Sequence, residues 1–157
     1  LFAAMHAVGL ANQPTSRRAD DGLALRGAWI AAAVRCAPPA NRPTPVERDT
    51  CAPYLARELT ALAGVRVLLA LGAFGWQASF RAIAEATGAH ARPRPRFGHG
   101  VVTRAGRYGL IGSYHPSQQN TFTGRLTQPM LVDVLRRAQE LAETSSIAES
   151  WKPVDAR

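Results

Sequence analysis

The chain has 157 residues, one domain's worth, and 46% of them are hydrophobic, enough to bury a core and to exclude a disordered tail. Lys and Arg number 19 against 11 for Asp and Glu; the resulting charge of +8 points first to a polyanion such as nucleic acid, although a generally Arg-rich composition gives the same number. No apolar run approaches the roughly 20 residues of a membrane span and no signal-peptide pattern is present, so a cytoplasmic protein without a membrane anchor is expected.

In chain order, "LFAAMHAVGL" reads as a helix already under way at Leu1, with neither an initiator Met nor a cap before it. The chain is therefore expected to be the C-terminal portion of a longer protein. An irregular basic loop, "NQPTSRRADDG", follows. The short apolar run "AWIAAAV", residues 28–34, predicts a buried strand that ends where Pro38 and Pro39 exclude both helix and central strand.

Thr44, Pro45 and Glu47 form a helix-start signature, with Thr44 as cap and Glu47 reaching back to its amide; the helix should run to about Ala63 with Leu55, Leu59 and Leu62 on one face. "VRVLLALG" predicts a strand, a continuous apolar run ending in Gly72 as buried parallel strands do. A helix over residues 74–86 should stop at Gly88. Two strands are predicted around Ala105 and Gly106, at residues 101–103 and 108–113. A last helix, residues 128–143, is capped by Thr127 and presents Met130, Leu131, Val134, Leu135, Ala138 and Leu141 inward. Residues 145–157 lose periodicity and read as a polar tail. Strands alternating with helices predict an α/β layered domain around a mostly parallel sheet, whose functional loops leave the C-terminal strand ends. Three such ends, at Val34, Leu71 and Ser113, would then share one site.

The chemistry is concentrated in "SYHPSQQNTFTGRLT". His115 sits at a strand end, is pinned by Pro116, and faces a run of neutral hydrogen-bonding side chains. An imidazole there can donate to a developing anion or move a proton near neutral pH; the alternative is a loop histidine satisfied by backbone. Ser117, Gln118, Gln119 and Asn120 could bond phosphates and base edges, with Arg125 supplying a cation beside Gly124; the alternative is a solvated loop. His99, between glycines in "FGHG", is a further candidate ligand contact. "RPRPRF" would suit a DNA-facing rim, though such alternation is more often an extended linker. Cys36 and Cys51 stand as C-x14-C. A stable disulfide does not suit a cytoplasmic protein and two thiols cannot close a zinc site, so they are either half of a four-thiolate iron-sulfur set or small buried hydrophobes.

These segments together, "HPSQQNTFTGRLT" preceded by "GSY", "AVRCAPPANRPTP" with C-x14-C, and "VLLALGAFGW" between them, resemble the family-5, or type B, iron-sulfur uracil-DNA glycosylases. The resemblance runs from Leu1 to about Leu141. It implies a three-layer α/β/α sandwich with a mostly parallel four-stranded central sheet, residues 1–144 forming the C-terminal portion of one glycosylase domain. It implies a monomeric monofunctional DNA glycosylase acting on DNA that contains deaminated bases, uracil and others such as hypoxanthine.

Carried over by position, Cys36 and Cys51 match the last two of four cysteines holding a structural 4Fe-4S cluster, the other two being expected upstream of Leu1. His115 matches the histidine that bonds the flipped base and steadies the leaving anion. Ser117, Gln118, Gln119 and Asn120 match the loop that enters the duplex. The related family-4 enzymes carry an Asn before the third cysteine where Ala32 stands here, which implies relaxed base specificity. The family's first motif, with its catalytic carboxylate, would lie before Leu1, so these residues alone are expected to excise nothing and to hold no intact cluster. A DNA-binding module of the same fold without catalysis is the alternative. A small-molecule α/β hydrolase is disfavoured because G-x-S-x-G is missing.

Overall fold

The computed structural model describes residues 1–38, 43–91 and 93–144. The expected tail, residues 145–157, and Arg92 of the Arg-Pro stretch lie outside them. Two apolar runs carry the sheet. β1 (Val67–Leu71) and β3 (Tyr108–Ser113) pair in parallel with Leu71 opposite Ser113, and β2 (Val102–Ala105) runs antiparallel to β3, giving the order β1-β3-β2. As the middle strand, β3 is buried along its whole length.

Strand alternation sorts the side chains into two cores. Leu68, Ala70, Tyr108 and Leu110 face Trp76, Phe80 and Ile83 of α3 (Gly72–Thr87). Val67, Leu69 and Ile111 face Leu131, Val134 and Leu135 of α5 (Gln128–Glu143), with Ala4 and Met5 of α1 (Phe2–Ala7) alongside. Burying one such Leu or Ile side chain contributes about 1.5–3 kcal/mol. Because both faces are covered, the expected α/β/α layering is present, and α2 (Pro45–Ala61) packs outside α3.

Local signals end the helices where the sequence places them. The Thr44 side chain accepts from the Glu47 amide at 3.2 Å while the Glu47 carboxylate accepts from the Thr44 amide at 2.7 Å, a complete capping box. Gly88 closes α3 with φ of 70°. Asp49 of α2 pairs with Arg48 beside it and with Arg81 of α3, which ties the two helices. The hydrogen bonds from Arg48 and Arg81 hold the Asp49 carboxyl far below the usual carboxylate range.

Two expectations need correction. Among the described residues the sheet has three strands rather than four, with one parallel and one antiparallel pair. Residues 28–34 form no strand: the segment is irregular, Trp29 and Ile30 are 62% and 47% exposed, and no strand among the described residues partners them. The physical reason is that apolar composition makes a strand only where a neighbouring edge supplies hydrogen bonds. Three consecutive alanines add little area to bury in compensation.

Candidate active site

β1 and β3 end side by side, and their exits form the site. From Leu71 the chain enters α3 at once through Gly72, whose φ of +82° suits glycine, and a Cβ built there would lie 3.3 Å from the Cβ of His115. Two of the three predicted strand ends therefore converge. The third, at Val34, is not a strand end. α3 starts without a side-chain cap, so its first N–H groups and the positive end of its dipole lie at the edge that carries His115.

Beyond Ser113 the chain runs through Tyr114, His115 and Pro116 into α4 (Gln118–Phe122), a short helix where the sequence suggested an open loop. Ser117 is its cap and accepts from the Asn120 amide at 3.4 Å. The Asn120 side chain turns back and donates to the His115 carbonyl at 2.8 Å. The Thr121 hydroxyl donates to the Ser117 carbonyl at 3.1 Å and that of Thr123 to the Gln119 carbonyl at 2.7 Å. Leu126, buried in the α5-side core, donates its amide to the Asn120 carbonyl at 3.0 Å and so moors the far end. Much of the polar run thus satisfies its own turn. What remains outward is Gln118, Gln119 and Phe122, the last 84% exposed.

The His115 imidazole is exposed and makes no hydrogen bond to the described residues, while its carbonyl is held by Asn120. Tyr114, its neighbour, is the hub. The Tyr114 amide donates to Nδ1 of His99 at 3.2 Å, the His99 ring stacks on the Tyr114 ring with centroids 5.1 Å apart, and the Arg125 guanidinium lies 4.7 Å from the same ring. Burial pushes the His99 pKa down, against the Met130 carbonyl and the charge of Asp133, which favour protonation. The predicted residues His115, Ser117, Gln118, Gln119, Asn120 and Arg125 are thus brought together. Sequence reasoning did not single out Tyr114 or Phe122; the available signal was an aromatic directly before the histidine and another inside a polar run.

The cysteines belong to a different region. Cys51 is buried on α2 and its Sγ accepts from the Arg35 amide at 3.5 Å, so the chain meets Cys51 one residue before Cys36. Cys36 is exposed, so it is not a buried hydrophobe. Arg35 also pairs with Glu58 at 2.5 Å and lies 4.7 Å from the Tyr54 ring, fixing the segment against α2. No group of three or more ligand-type side chains is found among the described residues. A cavity of about 350 Å³ between α2 and α3, lined by Arg48, Arg81, His90 and Arg94, includes none of the predicted site residues. Nor is any helix among the described residues long and apolar enough to cross a membrane.

The sequence model of the Uracil DNA glycosylase superfamily matches residues 1–139. The chain is 52% identical over 144 residues to a Type-5 uracil-DNA glycosylase of Mycobacterium bovis, covering 90% of this chain and 52% of that protein. It is 50% identical over 145 residues to the Type-5 uracil-DNA glycosylase of Mycobacterium leprae, covering 90% of this chain and 61% of that one. With the Type-5 uracil-DNA glycosylase of Thermus thermophilus it shares 43% over 144 residues, 90% of this chain and 63% of the relative. The chain spans less than two thirds of the length of each of these relatives.

Proposed function

The chain belongs to the uracil DNA glycosylase superfamily, and from that premise we propose that the full-length protein removes uracil from DNA by hydrolysing its N-glycosidic bond, leaving an abasic site. The observation that carries this reading is the state of His115: main chain pinned by Asn120, side chain exposed and unpartnered among the described residues, at the joint end of β1 and β3. An N-glycosidic bond breaks as the departing base takes up negative charge. A donor already aimed at a base oxygen lowers that barrier, and losing one such donor costs about 3 kcal/mol in comparable sites. His115 is that donor.

The base must first leave the stack, at a cost of a few kcal/mol. Gln118 and Gln119, exposed on α4, would fill the vacated space, while Ser117 and Asn120 hold the shape of the turn. Arg125 and the uncapped start of α3 favour nearby phosphates. Ala32 stands where the related family-4 enzymes carry an Asn, which supports further deaminated bases such as hypoxanthine as substrates. The protein would act as a monomer on cytoplasmic DNA, residues 1–144 forming part of a single domain.

Cys36 and Cys51 are proposed as two of the four thiolates of a 4Fe-4S cluster. They fit half of that donor set: the thiols lie on adjacent segments, and the Arg35 amide already bonds Cys51 Sγ, as amides do around cluster sulfurs. When bound, the cluster would tie the segment before α2 to that helix; it takes no part in the hydrolysis. The reading is tested by incubating the full-length protein with a uracil-containing duplex and revealing abasic sites with alkali. Cleavage at the uracil position supports it, whereas tight, salt-sensitive binding with intact DNA would favour the non-catalytic binding module.

A further inference from the structure

We propose that His99 is a positioning residue for His115: its neutral imidazole supplies the last rung of the β2–β3 ladder and thereby sets the turn from which His115 reaches the base. The inference rests on the glycosylase reading for its catalytic consequence, but its geometry stands by itself. Beyond Val102 the antiparallel pairing continues through the Gly112 amide to the Val101 carbonyl at 2.9 Å and the Gly100 amide to the Gly112 carbonyl at 2.7 Å. The next amide on that side belongs to Tyr114, and a ring nitrogen accepts it at 3.2 Å. A carbonyl acceptor cannot be switched off by protonation. An imidazole can, because Nδ1 accepts only while it carries no proton.

The surroundings keep His99 in place and neutral. Its ring stacks on Tyr114, and the Phe97 ring packs edge-on to Tyr114 at 6.3 Å. A Cβ at Gly112 would collide with the Gly98 carbonyl, so the loop and β3 approach to backbone contact. Arg137 of α5 donates to the Gly100 carbonyl at 3.1 Å, fixing the loop from the other face. The charged groups facing His99 are Asp133 of α5, which favours the imidazolium, and Arg125 and Arg137, which reach its stacking partner and its neighbour's carbonyl. Burial outweighs Asp133, and the pKa lies below the ordinary 6.5. At neutral pH the rung is therefore made.

The test uses the full-length protein and two variants that separate acceptor from ring. His99→Phe keeps a ring to stack on Tyr114 and removes the acceptor; His99→Asn keeps an acceptor oxygen near Nδ1 and removes the ring. His99→Phe is expected to lose about tenfold in single-turnover excision of uracil, the scale of one hydrogen bond, with affinity for an abasic-site duplex unchanged, and His99→Asn is expected to recover most of that rate. Equal rates for His99→Phe and wild type, or equal losses in both variants, would overturn the proposal. Amide exchange at Tyr114 gives a readout that needs neither catalysis nor a folded variant. In the wild type its protection should fall as His99 is protonated, and a pH-independent protection factor would overturn the rung. If the wild type removes no base while Tyr114 exchange follows His99, the glycosylase reading fails and the structural rung stands.

Discussion

The turn after β3 and the segment before α2 are similar in size and both carry residues matched to functional positions, yet they are held very differently. Around His115 the Ser117, Asn120, Thr121 and Thr123 side chains all find partners within the turn, and both ends are moored through Tyr114 and Leu126. Residues 28–38 have no strand partner among the described residues, expose Trp29 and Ile30, and are fixed chiefly where Arg35 meets Cys51 and Glu58. Local hydrogen bonding suffices to preorganise the first. The second carries one exposed thiol, Cys36, and meets the other, Cys51 of α2, only through the Arg35 amide.

The contrast can be broken most severely at Gly112. Its substitution by Ala forces a methyl against the Gly98 carbonyl and the Phe97 ring, and should cost about 1–3 kcal/mol by overpacking, read as a fall in urea midpoint with unchanged slope. Gly72→Ala comes next: at φ of +82° it should lose about 1–2 kcal/mol and displace His115, so its excision rate should fall further than its stability explains. Asn120→Ala leaves the His115 carbonyl without that donor and should cost about 1 kcal/mol, with a matching loss of rate.

A smaller effect has a defined sign with pH. The folded His99 has a lowered pKa, so the unfolded chain binds its proton first as pH falls. The stability it contributes is complete above 6.5 and is lost between 6.5 and the lowered folded value, and His99→Asn should flatten that part of the stability profile relative to wild type. The smallest effect is expected at Trp29, which is 62% exposed, where replacement by Ser should change stability by less than about 0.5 kcal/mol. A large loss there would mean that the segment is packed and would erase the contrast.

The same contrast explains what was legible in the sequence. Thr44, Gly88 and Thr127 announced their helix ends because capping is a short-range interaction, and β1 and β3 were legible because continuous apolar runs have few other uses. The clustering of His115 with Ser117, Gln118, Gln119, Asn120 and Arg125 followed from their nearness in the chain. Residues 28–34 misled because their apolar content says nothing about whether an edge is available to pair with. The role of His99 was not legible because its partner, Tyr114, lies 15 positions away and is reached only through strand register. That α4 is helical was missed because it is only five residues long and Ser117, Asn120, Thr121 and Thr123, which favour caps and turns, outweigh the two glutamines until the ends of the turn are moored.

On the proposed reading the turn after β3 presents His115 as a ready donor to a departing base, which single-turnover excision by the full-length protein with and without His115→Ala would reveal. Abasic product is expected from wild type on a uracil duplex, with a loss of about 10²–10³ in rate for the variant and abasic-site binding nearly intact. A variant that excises uracil as fast as wild type would contradict it.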